Sequence, residues 1–373
     1  MIHKFDYSWT LEKANFTKAK GKVFSCFACG GGSSMGYKLA GFDVIGCNEI
    51  DPRMMSIYDI NHHPRFKFLC DIRELVNTPN LPNELYQLDV LDGSPPCSTF
   101  SIAGDREKSW GKEKVFKEGQ KKQVLDTLFF DFIALAQRLK PKVVIAENVK
   151  GLLLGSAIQY VRRIYEAFDE AGYYCQHFLL NGADMGLPQQ RERVFFLCLR
   201  KDIATPFLEQ KNLFERKPKI DVAFSEDRIP FRECYDGKGR EIPKGIRRLW
   251  DNRQVGDATL CEASERVDGK VSFFGQTLCH LDRVCLTLTS KEDCQILYDE
   301  PRYLSVAEWC KLSSFPLDYN FMKQSPFYVM GMSVPPVMMA QVASRVYDFW
   351  LSNSEVGTSS NFPNRTEKPP EQK

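Results

Sequence analysis

The chain reads as an open α/β sheet followed by a smaller, irregular second domain, and three observations predict this. A short apolar run, Val23 to Phe27, passes through A-C-G-G-G-S-S-M-G into a helix-like stretch, Tyr37 to Ala40. Further apolar runs alternate with helical patterns as far as Leu199, and several of them end on a polar or acidic residue. After Lys201 the alternation stops, and residues from 209 to about 300 become rich in charge, Gly and Pro. A chain of 373 residues, 43% hydrophobic, exceeds the size at which single cores usually split, so two domains are expected.

Residues 1 to 20 are polar and aperiodic and read as a loosely held arm. The first ordered unit is strand, glycine turn, helix, with Gly41 suited to the left-handed position that stops a helix. The run Phe42 to Cys47 leads into Asn48-Glu49-Ile50-Asp51, which places an acid one βαβ step beyond the glycines. Glycines let a backbone approach a ligand, and a carboxylate after the second strand can accept ribose hydroxyls. The turn departs from G-x-G-x-x-G, and no nearby cation is placed for a pyrophosphate. A nucleoside without phosphate is therefore favoured over a dinucleotide, with S-adenosylmethionine the obvious candidate. Phe68 to Asp71, Leu88 to Leu91 and Val143 to Ala146 are strand-like and deliver Asp71, Asp92 and Glu147, and ligands of open α/β sheets sit beyond such strand ends. Leu125 to Leu139 and Ile158 to Phe168 carry helical apolar faces, the second closed by Gly172. Tyr173 to Leu180 and Val194 to Leu199 are two more strands. Arg191 and Arg193 alternate just before the second, where extended chain points them the same way.

Beyond the composition break, Val284 to Thr289 alternates like a strand, and Ser305-x-x-Glu308 is a capping box opening a short helix. A last helix is expected from Gly331 through Leu351, with Pro336 in its first turn and Val337, Met338, Val342, Val346 and Trp350 on one stripe. The residues from Ser352 are polar and should be disordered.

Charge and cysteine usage narrow the class. Lys plus Arg number 50 against 48 for Asp plus Glu, so any phosphate-binding surface must be local. Two local clusters qualify. Asp105 to Lys122 holds seven basic residues, among them Arg106, Lys108 and Lys112, with Trp110 and Phe116, inside a long apolar-poor loop from Ile102 to Val124. Gly237 to Gly256 holds six, including Lys244, Arg247 and Arg248, around Trp250. Thirteen cysteines without an apolar leader fit reduced thiols in the cytoplasm better than a disulfide framework. Cys26 and Cys29 form a C-x-x-C with no second pair at zinc spacing, so no metal is expected, and His62-His63 reads as a surface pair. No run has the length needed to span a bilayer.

The stretch D-G-S-P-P-C-S-T-F-S, Asp92 to Ser101, stands apart. Each proline fixes its own φ at about −65° and restricts its predecessor, so Pro95 and Pro96 hold Cys97 on a stiff backbone. Such a cysteine is either a positioned nucleophile or one more small buried hydrophobe.

Taken in order, F-A-C-G-G-G at Phe27, N-E-I-D at Asn48, C-D-I at Cys70, G-S-P-P-C-S-T-F-S at Gly93, E-N-V-K-G at Glu147, Q-Q-R-E-R-V-F at Gln189, R-Y-L-S-V-A-E-W-C-K-L-S-S-F-P at Arg302 and G-M-S-V at Gly331 resemble the cytosine-5 DNA methyltransferases of bacterial modification systems over nearly the whole chain. The resemblance implies a doubly wound, mostly parallel Rossmann-like sheet binding S-adenosylmethionine, with an inserted target-recognition domain. It implies a catalytic domain over 21–208, the inserted domain and hinge over 209–321, a returning segment over 322–351 and a tail over 352–373. Phe27, Gly30 and Gly32 would shape the cofactor pocket, Glu49 would bind the ribose, and Ile50 would flank the adenine. Asp71 would take the adenine amino group, and Ile72, Leu128 and Val334 would line the same pocket. Two positions depart from the family: Ser98 stands where it has Gln, and Met332 where it has Asn.

The chemistry implied is addition of the Cys97 thiolate to carbon 6 of a flipped cytosine, with Glu147 at nitrogen 3 and Arg193, supported by Arg191, at the carbon 2 oxygen. The basic loop from Ile102 would close over the base. Duplex DNA is the expected partner of a monomer, and a restriction endonuclease of matching specificity is a partner such an enzyme can have. Three other readings compete: a transfer-RNA cytosine methyltransferase, a catalytically silent DNA-binding homologue, and a nicotinamide-dependent reductase. The Q-x-R-x-R form, the intact Cys97, Glu147, Arg191 and Arg193, and the missing pyrophosphate pattern disfavour them in turn.

Overall fold

Seven apolar segments pair into one sheet: β1 (Lys22–Cys26), β2 (Asp43–Glu49), β3 (Phe66–Leu69), β4 (Val90–Gly93), β5 (Val143–Val149), β6 (Tyr173–Asn181) and β7 (Glu192–Arg200). Their order is β3-β2-β1-β4-β5-β7-β6. The first five strands run parallel, and β7 lies antiparallel between β5 and β6. The computed structural model describes residues 3–96, 127–155, 157–210, 216–273 and 275–352. Cys97, Ser98, the loop Ile102 to Val124 with Arg106, Lys108 and Lys112, and the tail from 353 lie outside the described residues.

The intervening helices are α1 (Gly32–Leu39), α2 (Pro52–His62), α3 (Ile72–Asn77), α4 (Leu128–Leu139) and α5 (Ala157–Glu170). Because the central strands are covered on both faces, they are continuously apolar, and successive residues feed opposite cores. Phe24, Val144 and Phe196 join Phe132, Leu135, Ile164 and Phe168 on one side. Val23, Ile145 and Phe195 join Tyr37, Met338, Val342 and Trp350 on the other. Each such side chain contributes about 1.5–3 kcal/mol by leaving water. The order in which strands are added reverses at β1, whose neighbours are β2 and β4. A crevice therefore opens beyond the carboxyl ends of β1 and β4, where ligands of such sheets bind.

Element boundaries differ from the expectations in instructive ways. The first helix starts at Gly32, well before Tyr37, because Gly31 takes the N-cap with φ 88°. Gly41 and Gly172 adopt φ 95° and 90°, as their helix-stopping positions require. The third strand ends at Leu69, and Asp71 instead caps α3 by accepting the amide of Arg73 at 2.9 Å.

The second module is built from β8 (Leu208–Gln210), β9 (Arg216–Pro218), α6 (Lys244–Asp251), α7 (Leu260–Asp268), β10 (Thr277–Cys279) and β11 (Gln295–Leu297). A small core of Ile242, Leu249, Trp250, Leu260, Leu278, Ile296 and Tyr303 holds it. Val284 to Thr289 forms no regular strand, only an isolated bridge from Cys285 to Gln189. Side chains replace the missing ladder: Gln189 Oε1 accepts the Leu288 amide at 3.0 Å, and Arg191 donates to the Leu288 carbonyl at 3.1 Å.

The chain returns through α8 (Val306–Leu312), α9 (Pro326–Met332) and α10 (Pro336–Val346). The capping box at Ser305 and Glu308 forms as expected. One long C-terminal helix does not: α9 ends at Met332, Ser333 to Pro335 run extended, and α10 begins with Pro336 at its first position. The paired prolines cannot continue a helix from the preceding turn. Helix α10 lies tight against α1, where a Cβ on Gly36 would meet Met339 Cβ at 2.5 Å.

Two further expectations are corrected. The arm before residue 20 is docked: Trp9 Nε1 donates to the Ser314 carbonyl at 2.9 Å, and the Leu11 amide to Asp318 at 2.7 Å. Tyr7, Trp9, Leu11 and Phe16 pack against the core beneath α8 and α9. His62 is buried, stacked on Tyr58 with ring centroids 4.2 Å apart. Among the described residues, no helix is long and apolar enough to cross a membrane.

Candidate active site

A cavity of about 890 Å³ opens at the crevice. Phe27, Glu49, Ile50, Asp71, Ile72 and Leu128 form one wall. Pro95, Pro96, Glu147, Arg191 and Arg193 form a second, and Leu286 to Ser290 of the inserted module close the third.

The first wall is shaped by strained backbone. Phe27 and Cys29 both take positive φ, 53° and 48°, in the turn between β1 and α1. Non-glycine residues hold such angles only where surroundings over-determine them, and they gather at functional sites. Here Glu49 does the holding. Its Oε2 accepts the Cys29 amide at 2.7 Å, and its Oε1 accepts the amides of Ile50 and Asp51 at 2.8 and 2.9 Å. Burial raises the Glu49 pKa, and the three amide bonds oppose that rise.

The expected pocket residues are not all at the surface of the cavity. Phe27, Glu49, Ile50, Asp71, Ile72 and Leu128 line it, but Gly30, Gly32 and Val334 do not. A Cβ on Gly30 would strike Val329 Cγ1 at 2.2 Å, and one on Gly32 the Val334 carbonyl at 2.4 Å. These glycines let the returning segment pack against the turn, and Val334 sits in the core under α10.

On the second wall, sheet register brings the acid and one arginine together. Val149 of β5 pairs with Arg193 of β7, two residues from the Glu147–Phe195 pair, so both side chains share a face. Arg193 Nε lies 3.0 Å from Glu147 Oε1, and both groups are largely buried. Burial lowers the Arg193 pKa, with Glu147 pulling it back up. The guanidinium stays charged, because arginine does not deprotonate in proteins.

Arg191 was expected to support Arg193. It borders the cavity, yet its guanidinium donates to the carbonyls of Leu288, Gly331 and Ser333 at 3.1, 3.0 and 2.9 Å. It is a strut that ties β7 to the inserted module and to the turn between α9 and α10.

Two contacts were not foreseen from the sequence. Asn148 Nδ2 donates to the Pro95 carbonyl at 3.1 Å, which anchors the Pro-Pro turn to β5. Its place in E-N-V was visible, but only the β4–β5 pairing reveals its partner. Asp92, buried at the end of β4, accepts the hydroxyls of Ser25 and Ser33 at 2.6 and 2.7 Å and of Tyr37 at 3.3 Å. Burial pushes its pKa up to about 6, against the pull of those hydroxyls. Thus α1, β1 and β4 meet at one carboxyl group immediately before the Pro-Pro turn.

Three arginines of the basic cluster in the inserted module are paired with acids. Arg247 lies 2.9 Å from Asp251, Arg248 lies 2.6 Å from Asp268, and Arg240 pairs with Asp293. Arg253 stacks 3.3 Å over Trp250. The count of cations overstates the open positive surface, because the acids that neutralise Arg240 and Arg248 come from elsewhere in the sequence.

A sheet of this order, with a cavity of about 890 Å³ at its switch point, a buried carboxylate–guanidinium pair facing it and an inserted smaller domain, fits an enzyme that binds a nucleoside-containing cofactor. Residues 21–348 match the model of the C-5 cytosine-specific DNA methylases, and the chain belongs to that family. It is accordingly an S-adenosylmethionine-dependent DNA (cytosine-5)-methyltransferase. The chain is 36% identical over 352 residues to the Type II methyltransferase M.FnuDI of Fusobacterium nucleatum, covering 87% of this chain and 94% of the relative. It is 32% identical over 397 residues to M.DdeI of Desulfomicrobium norvegicum, covering 91% of each. In fold it is similar to Spodoptera frugiperda DNMT2, with a TM-score of 0.58 at 16% identity over 87% of this chain and 99% of that one.

Proposed function

We propose that S-adenosylmethionine binds against the wall made by Phe27, Glu49, Ile50, Asp71, Ile72 and Leu128. In this reading a cytosine flipped from duplex DNA enters beside Glu147 and Arg193, and methylation proceeds through a covalent bond from Cys97. The observation that carries this reading is the 3.0 Å Glu147–Arg193 pair in a cavity also lined by Pro95 and Pro96, directly before Cys97.

The wall suits the cofactor. Apolar Phe27, Ile50, Ile72 and Leu128 can enclose an adenine ring, and Asp71 can accept from its amino group. The Glu49 carboxylate already accepts three amides, which fix its rotamer and leave about one lone-pair site for a ribose hydroxyl. When bound, S-adenosylmethionine supplies the electrophilic methyl that carbon 5 accepts.

The protein's own residues make carbon 5 able to accept it. The Cys97 thiolate adds to carbon 6, a new S–C bond that drives electron density toward carbon 5 and into the ring. Glu147 hydrogen-bonds or protonates nitrogen 3, and Arg193 meets the developing charge on the carbon 2 oxygen. After methylation, carbon 5 loses its proton to a base, the S–C bond breaks, and the thiolate leaves. Asn148 supports this by holding the turn that carries the nucleophile. Arg106, Lys108 and Lys112 of the loop after Cys97, with Lys244, Arg247 and Arg248 of α6, are proposed to meet phosphates, the last two by exchanging their carboxylate partners.

Bisulfite sequencing of plasmid DNA incubated with the enzyme and S-adenosylmethionine tests the reading. The wild type should leave 5-methylcytosine within one short sequence, and Cys97→Ala should leave none. Methylation by Cys97→Ala excludes the covalent route; its absence with the wild type excludes the reading as a whole.

A further inference from the structure

The glycine turn between β1 and α1 is propped from behind by a buried polar relay that the chemistry above does not use. Tyr319, in the segment that returns from the inserted module after α8, donates its hydroxyl to the Gly30 carbonyl. His62, at the last position of α2, has Nε2 3.0 Å from the same hydroxyl. Since the hydroxyl proton goes to Gly30, the bond from His62 must be donated by its Nε2–H. Burial lowers the His62 pKa and keeps the ring neutral, so it is the tautomer bare at Nδ1, which has no hydrogen-bond partner among the described residues. A buried imidazole with one nitrogen left bare is costly, so its other contacts must hold it.

They do so on every side. The ring stacks on Tyr58 at 4.2 Å and 16°, and Tyr58 is 2.8 Å from the Ser34 hydroxyl of α1. Lys38 Nζ donates to the His62 carbonyl at 3.1 Å. The next residues of each segment are also paired: Asn61 Nδ2 donates to the Asn320 carbonyl and the Asn320 amide to Asn61 Oδ1, both at 2.9 Å. Gly31 completes the fit, since a Cβ there would fall 2.0 Å from His62 Nε2.

We infer that Tyr319 and His62 are positioning residues for the cofactor, fixing the Cys29–Gly32 turn from the far side and coupling it to the segment returning from the inserted module. The physical reason is that the turn is built from residues that do not prefer its conformation: Phe27 and Cys29 have φ 53° and 48°. Glu49 restrains it from the cavity side, and the relay restrains it from the other. Removing the Tyr319 hydroxyl strands the Gly30 carbonyl and the His62 donor in the interior, and the turn regains freedom that cofactor binding must then remove.

This inference rests on the proposed cofactor site, so the experiment separates the two. Calorimetric titration of the full-length enzyme with S-adenosylmethionine, and steady-state kinetics on plasmid DNA, would compare the wild type with Tyr319→Phe, His62→Leu, His62→Gln and the Tyr319→Phe/His62→Leu double variant. Tyr319→Phe should raise the cofactor Kd and KM about tenfold while kcat at saturation stays within about twofold. His62→Leu should do the same, the double variant should be no worse than either single one, and His62→Gln, which keeps a donor near the Nε2 position, should recover most of the affinity. The positioning role is overturned if Tyr319→Phe binds the cofactor like the wild type, if kcat falls while KM holds, or if His62→Gln is as weak as His62→Leu. Failure of the wild type itself to bind would instead overturn the cofactor site.

Discussion

At the scale of single residues, two carboxyl groups near the sheet's carboxyl edge have opposite duties. Glu147 faces the reacting base in the proposed chemistry, and losing one acid or hydrogen bond there typically costs ~10²–10⁴-fold in rate. Glu147→Gln is thus expected to fold normally and to turn over measurably but slowly in a single-turnover methylation assay, where Cys97→Ala shows nothing. Asp92 serves the fold. Its pKa rises from 3.8 to about 6 because burial penalises its charge. The folded state therefore holds its proton more tightly than the unfolded one, and stability is lost as pH rises through that interval. The shift corresponds to roughly 3 kcal/mol at most. Thermal melts of Asp92→Asn and the wild type should show the variant gaining relative stability between pH 4 and pH 7; a constant difference across that range would contradict the burial argument.

At the scale of elements, the central strands, α5 and the Ser305 capping box were legible because each announces itself within a dozen residues. Period-two and period-3.6 patterns are local, and so are cap signals. Val284 to Thr289 misled for the same reason. It alternates like a strand, but beyond one isolated bridge at Cys285 its backbone is held by the side chains of Gln189 and Arg191, nearly a hundred residues away in sequence. Arg191 was likewise readable as an arginine before a strand and unreadable as a strut. Because it satisfies three carbonyls from two other segments, Arg191→Ala should destabilise the enzyme by about 3 kcal/mol. Arg191→Lys should recover little of this, since an ammonium cannot reproduce the planar fork. Differential scanning calorimetry of the two variants checks both statements.

At the scale of the molecule, the N-terminal arm and the inserted module join the same scaffold. Trp9 links the arm to Ser314 and, through the Leu317 amide at 2.8 Å, to the segment just before Tyr319. Trp9→Ala should lower the melting temperature by roughly 5 °C, where a loose arm would leave it unchanged. The paired cations of α6 allow a test of the DNA surface. If Arg247 leaves Asp251 for a phosphate, Arg247→Ala should reduce the salt slope of DNA affinity by about one; an unchanged slope means the intramolecular pair persists on DNA.

Residue order alone was enough to place the strands of the sheet, the glycine turn, the acid closing β2 and the stiff turn before Cys97, because each depends on neighbours a few positions away. What the chain could not disclose by order was which distant groups meet: Glu147 with Arg193, Asn148 with Pro95, Arg191 with three carbonyls, and Tyr319 with His62 and Gly30. Those encounters depend on strand register and on the returning path of the last helices. Both are set by burying two apolar faces at once, a condition that no local window contains.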